Sequence, residues 1–261
     1  MLPSLLSPLD EPRKTFVALR YLQSASGLLG KRPVDRPGAV HAIQRALVMA
    51  PNDPLVLARA GEILLVAEDY RAAADIMARR KLTGLNETIS YGHCLLLTDR
   101  PEEGAELVLH SAAIAQTRYR SGQMSAIEYA LSLNNAAYAL AEGNCHLEAA
   151  KRLAQIAVQT APLESAFCDT LGWLDYKLQD HKEAAFYLER AVRRNLKRPD
   201  PVVLYHLGCA YASLNYRSQA GRFLSWSLAL DPNRLEAAQA LRQLYRALPT
   251  PTYVALPKRT G

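Results

Sequence analysis

Apolar and polar positions along the chain follow a helical period. Cys168, Leu171, Gly172, Leu174 and Leu178 fall on one broad face of a helix. The polar run Gln179-Asp180-His181 breaks that face, and Ala184, Ala185, Leu188, Ala191 and Val192 begin another. No stretch alternates for long with the two-residue period of a strand. Gly and Pro fall mostly between the periodic segments, where they end helices without weakening them. The spacing therefore predicts an all-α chain built from pairs of short helices joined by polar turns.

The pattern recurs. Leu171-Gly172, Ala184 and Leu188 are repeated as Leu207-Gly208, Ala220 and Leu224. Ala39, Ala46 and Pro51 keep the spacing of Ala150, Ala157 and Pro162, and "EDYRAAADIM" matches "QDHKEAAFYL". Units are expected near residues 20–53, 54–84, 85–118, 131–164, 165–200 and 201–234, with a capping helix over 235–248. An insertion over 115–130 interrupts the series. Arg118–Gln123 is expected as a protruding loop, and Ser125 with Glu128 forms an S-x-x-E capping box that opens an unusually long helix. Residues 1–11 and the Pro-rich 249–261 are expected to be flexible, leaving a solenoid over 12–248.

A period of ~34 residues with two helices per unit resembles the tetratricopeptide repeat (TPR) family, in its bacterial type. The resemblance is carried by Leu171, Gly172, Ala184, Leu188 and Ala191; by Leu207, Gly208, Tyr211, Ala220 and Pro232; and by Ala39, Ala46 and Pro51. It implies a right-handed superhelical solenoid of about six helix pairs, each burying its apolar face only against its neighbours. It also implies that the first helix of each unit lines a concave groove, and that the chain is a non-enzymatic scaffold or adaptor for complex assembly.

Composition narrows the reading. The chain has 261 residues, is 49% hydrophobic and 21% charged, and carries a net charge of +6. These values suit a globular protein with a substantial core. No apolar run is long enough to span a membrane, and the N-terminus does not read as a signal peptide, so the expected location is cytoplasmic. The four cysteines form no C-x-x-C pair and read as small buried hydrophobes. His93-Cys94 and Cys145-His146 lie in different units, so no metal site is expected, and no cofactor either. "SGLLGKR" lacks the first Gly and the final Ser or Thr of a phosphate loop.

The candidate chemistry lies on the groove-side stripe that the resemblance implies. Asp169, Trp173, Tyr176 and Lys177 share one side of a first helix; Asn135 and Tyr138 share another, and Tyr205 extends the stripe. A tryptophan and tyrosines beside charges have the composition of a recognition hot spot, and Asn can pair with an extended peptide backbone. The alternative for Trp173 is packing between adjacent helices. The places where some family members carry a Lys, Asn and Arg clamp for carboxylates hold Asn135, Asp169 and Tyr205, so that clamp is not evident. Asp175 falls on the buried face and reads as a structural hydrogen bond to the adjacent unit, with no catalytic residue in view. Arg193, Arg194, Lys197 and Arg198 read as a solvated helix end, or else as a patch for an anionic partner. The expected partner is a protein or peptide rather than a small molecule. A peripheral subunit of a membrane-associated secretion or export complex is one alternative. A weakly basic nucleic-acid-associated protein is another, which the absence of interleaved aromatics disfavours.

Overall fold

The computed structural model describes residues 10–31 and 33–246. Among the described residues it contains thirteen α-helices and no strand. Six helix pairs follow one another: α1 (Glu11–Leu29) with α2 (Arg36–Met49), α3 (Pro54–Val66) with α4 (Tyr70–Ala78), α5 (Leu85–Leu96) with α6 (Pro101–Arg120), α7 (Ala126–Glu142) with α8 (Leu147–Thr160), α9 (Ser165–Lys177) with α10 (His181–Arg194), and α11 (Pro201–Ser213) with α12 (Arg217–Leu230). A last helix, α13 (Leu235–Arg246), packs against α11 and α12. The expectations for residues 1–9 and for the C-terminal tail lie outside the described residues.

Local chemistry sets the helix ends. The side chains of Asp10, Asp35, Asp53, Asp69, Asp180 and Asp200 accept backbone N–H groups in the first turns of their helices. Pro54, Pro101 and Pro201 stand in first turns, where a missing N–H costs nothing. The turn inside three pairs is the same device. Glu68, Gln179 and Asn215 take positive φ, and the following N–H groups of Asp69, Asp180 and Tyr216 reach back to the carbonyls of Leu64, Asp175 and Tyr211 at 2.8–3.0 Å. Between α7 and α8 the turn is longer and holds two such residues, Asn144 and His146.

The insertion is helical on both sides. Helix α6 continues through Arg120, so residues 118–120 are not the expected loop, and the turn spans only 121–125. Ala112 and Ala115 stay buried, and Tyr119 stacks on Tyr129 with ring centroids 4.5 Å apart. The apolar face therefore outlasts the repeat period. Ser125 and Glu128 form the capping box that starts α7. The first pair likewise begins earlier than the spacing indicated, at Glu11, because Ala18 and Leu22 already pack against the core there.

Small residues set how closely the paired helices approach. A Cβ at Gly172 would stand 2.8 Å from Leu188 Cγ and 3.0 Å from the Ala184 carbonyl oxygen, and one at Gly208 would stand 2.7 Å from Leu224 Cγ. These are the positions at which the two units repeat each other in sequence. Asp175 of α9 is buried where the units meet, and Lys151 of α8 reaches it from the preceding unit at 2.7 Å. Burial pushes the Asp175 carboxyl up, and Lys151 opposes the shift.

The solenoid closes on itself. The Val34 N–H donates to the Leu230 carbonyl at 3.1 Å. Arg36, at the start of α2, pairs with Asp231 and, at 2.7 Å, with Glu68. Arg234 reaches the same Glu68 oxygen at 2.7 Å and Asp231 at 3.4 Å. Two arginines and two carboxylates thus alternate in one cluster that joins the first, second and last pairs. Burial alone would raise the Glu68 carboxyl, but Arg234 and Arg36 overcome it and hold the group below its ordinary range.

Helix contact and helix propensity separate cleanly in two glycines. Gly172→Ala should destabilise by roughly 1–3 kcal/mol, since its Cβ would meet backbone of the facing helix. Gly27→Ala, in α1 with nothing within 4 Å, should stabilise by about 0.5–1 kcal/mol. Urea denaturation of both variants checks the opposite signs.

Candidate functional site

Two cavities share a wall on the inner face of the curve. One, of about 340 Å³, is lined by Leu65, Val66 and Glu68, by Tyr70, Ile89, Ser90 and His93, and by Asn135, Tyr138 and Val202. The other, of about 360 Å³, is lined by Asn134, Asn135, Tyr138, Ser165, Asp169 and Thr170 on one side and by Asn195, Asp200, Val202 and Val203 on the other. Asn135, Tyr138 and Val202 belong to both, so the two are lobes of one trough. Val202 reaches it only because closure brings the start of α11 opposite the end of α3.

The predicted stripe divides in the structure. Asn135 and Tyr138 are half-buried in the trough, and Asp169 lies in its floor. Asp169 Oδ1 is 2.9 Å from His206 Nδ1. Trp173 is only 7% exposed and lines neither lobe, so it is not the exposed groove residue of the stripe. It lies between Tyr176 (4.8 Å, 3° between planes) and His206 (3.9 Å, 12°), and its Nε1 donates to Glu142 at 2.9 Å. Lys177 Nζ stands 5.1 Å from the Trp173 ring. Burial lowers the Lys177 ammonium, against the pull of Glu142. His206 of α11 fills the space that Trp173 points into.

Tyr176 and Tyr205 line a separate groove of about 510 Å³ between α9, α11 and α13, with Cys209, Glu236 and Gln243. The basic residues after α10 are partly engaged. Arg193 pairs with Glu189 at 2.6 Å, and Arg194 donates to the Pro162 carbonyl, while Lys197 and Arg198 are exposed. Among the described residues no group of three or more His, Cys, Asp or Glu side chains converges as a metal site would. None of their helices is long and apolar enough to cross a membrane.

Two trough residues escaped the sequence reading. His93 is 6% exposed, packs edge-on to Tyr138 at 5.4 Å and near Tyr70 at 5.5 Å, and its Nε2 has no hydrogen-bond partner among the described residues. Asn134, also 6% exposed, has a partnerless Oδ1. A signal for His93 was present: it follows Gly92 as Trp173 follows Gly172 and Cys209 follows Gly208, the same register on the first helix of three units. Burial lowers the His93 imidazole to about 4, so it is neutral at pH 7.

No family model matches the chain, and no curated protein matches it in sequence. Solved structures do match. PilW, a widely conserved type IV pilus biogenesis factor, aligns over 90% of this chain and 100% of its own, at 17% identity and a TM-score of 0.51. The Cut9–Hcn1 hetero-tetramer of the APC/C aligns over 90% of this chain and 47% of the other, at 12% identity and a TM-score of 0.57. TTC0263, a thermophilic TPR protein of Thermus thermophilus, aligns over 91% of this chain and 100% of its own, at 16% identity and a TM-score of 0.42. The chain has the fold of a TPR solenoid. At these identities the likeness is one of fold.

The His93 site makes stability depend on pH. Between the unfolded value of 6.5 and the folded value of about 4, the unfolded chain takes up a proton that the folded chain refuses. Stability is therefore lost as pH falls through that window, by about 2 kcal/mol at pH 5. His93→Gln should remove this share of the loss. Urea denaturation of both proteins at pH 7 and pH 5 measures it.

Proposed function

We propose that the protein is a non-enzymatic interaction scaffold that holds an extended segment of a partner protein in the trough. The observation that carries this reading is the pairing of Asn135 and Tyr138 at the wall common to both lobes. An extended backbone offers a donor and an acceptor at each residue, and an Asn side chain can meet both. Tyr138 adds an aromatic surface with a polar tip, the side-chain type that dominates recognition surfaces. Trp173 supports the site from behind by fixing α9 against α7 and α11, and does not touch the partner.

The fold is compatible with several cellular settings, a membrane-associated assembly among them; PilW, which shares the fold, is by its name a type IV pilus biogenesis factor. The trough chemistry is the same in each. Nucleic acid fits it poorly, since neither lobe is lined by Lys or Arg.

A display library of short random peptides, selected on the immobilised full chain, tests the reading. Asn135→Ala should weaken the selected peptides about five-fold, the loss of one or two hydrogen bonds, without lowering the melting temperature. Peptides whose binding ignores Asn135→Ala and Tyr138→Phe would contradict it.

A further inference from the structure

The net charge of the chain, +6, points to an acidic partner. The trough points the other way. Its lining holds three carboxylates, Glu68, Asp169 and Asp200, and no lysine or arginine. His93 adds no charge, being buried and neutral at pH 7. The carboxylates are not equivalent. Glu68 is already paired with Arg36 and Arg234, which share its Oε1. Asp169 and Asp200 each use an oxygen, on His206 and on the Val202 N–H, and both lie in the second lobe. Asn134 Oδ1, buried and without a partner among the described residues, lines that same lobe. The second lobe thus holds two carboxylates and a buried unmatched acceptor, and no cationic side chain. A buried acceptor left unmatched carries a desolvation cost, so a donor-bearing guest is favoured there.

The first lobe differs. Leu65, Val66, Ile89 and Val202 surround the rings of His93 and Tyr138, and Val66 is 65% exposed at the rim. This surface gains from covering by an apolar side chain. The partnerless Nε2 of His93 supplies one polar contact within it.

From this asymmetry we infer that the trough selects an extended segment carrying a lysine or arginine next to an aliphatic or aromatic residue. The cation lies in the lobe of Asn134, Asp169 and Asp200, and the apolar side chain in the lobe of Val66 and His93. This specificity rests on the trough being the binding site.

The probes are fluorescein-labelled synthetic peptides built on one selected sequence, in which the basic residue is Lys, norleucine or Glu and the apolar residue is Leu or Ala. Anisotropy titrations of the full chain should show at least ten-fold weaker binding on Lys→Glu and on Leu→Ala. Asp200→Asn keeps the cap on α11, since Asn can accept the same N–H. It should weaken the Lys peptide about five-fold and leave the norleucine peptide unchanged. The Lys peptide should also lose affinity as salt rises. Selection of acidic or uncharged peptides, still weakened by Asn135→Ala, would overturn the charge preference while leaving the trough as the binding site. Peptides indifferent to both Asn135→Ala and Asp200→Asn would overturn both. Equal weakening of the Lys and norleucine peptides by Asp200→Asn would also overturn the preference, because Asp200 would then act only through the fold.

Discussion

The cluster of Arg36, Glu68, Asp231 and Arg234 decides what kind of solenoid this is. Repeat units ordinarily touch only their neighbours, so such a chain can flex along its whole length. Here residues 195 positions apart, Arg36 and Asp231, are ion-paired, with Asp231 fully buried. Asp231 and Arg234 are buried and Arg36 and Glu68 partly so, which is expensive, and an isolated pair would repay little of that cost. The alternating arrangement answers the problem, because each carboxylate lies between two guanidinium groups. Removing any one member leaves an uncompensated charge in a desolvated place. Closure is therefore either complete or lost, and the spacing of the first and last pairs has one value.

The trough depends on that value. Its two lobes meet at Val202, a residue of the sixth pair, opposite Val66 of the second. Without the cluster those residues would part, and the lobe of His93 would open to water. Glu68 serves both structures. It ties Arg36 to Arg234 and forms part of the trough wall, in a turn where positive φ fixes its backbone. Under the proposed function, recognition and closure would share a residue, and a segment bound in the trough would touch the clasp that shapes it.

Much of this architecture was legible in the sequence, and the illegible part has a common cause. Gly172 facing Leu188, and Gly208 facing Leu224, could be read because helix pairing is local and repeats. Asn135 and Tyr138 enter the trough together because they share one helix face. Trp173 was misplaced because periodicity gives the direction of a side chain and not what occupies the space ahead of it, which here is His206 and Glu142. The extra residues near 118 were read as a loop because the repeat had run its length, although Tyr119 still had Tyr129 to stack upon. His93, Val202 and Glu68 come together only through curvature accumulated over several units, and no short window of sequence contains it.

The central claim is that the ends of the solenoid are joined in solution. The Val34 amide reports it most directly, since its acceptor is the carbonyl of Leu230 and closure alone supplies that bond. Hydrogen exchange measured at Val34 should show protection comparable to core amides of α9, and Asp231→Ala should abolish it while α9 remains protected. A Val34 amide that exchanges as freely in the native protein as in Asp231→Ala would contradict the account.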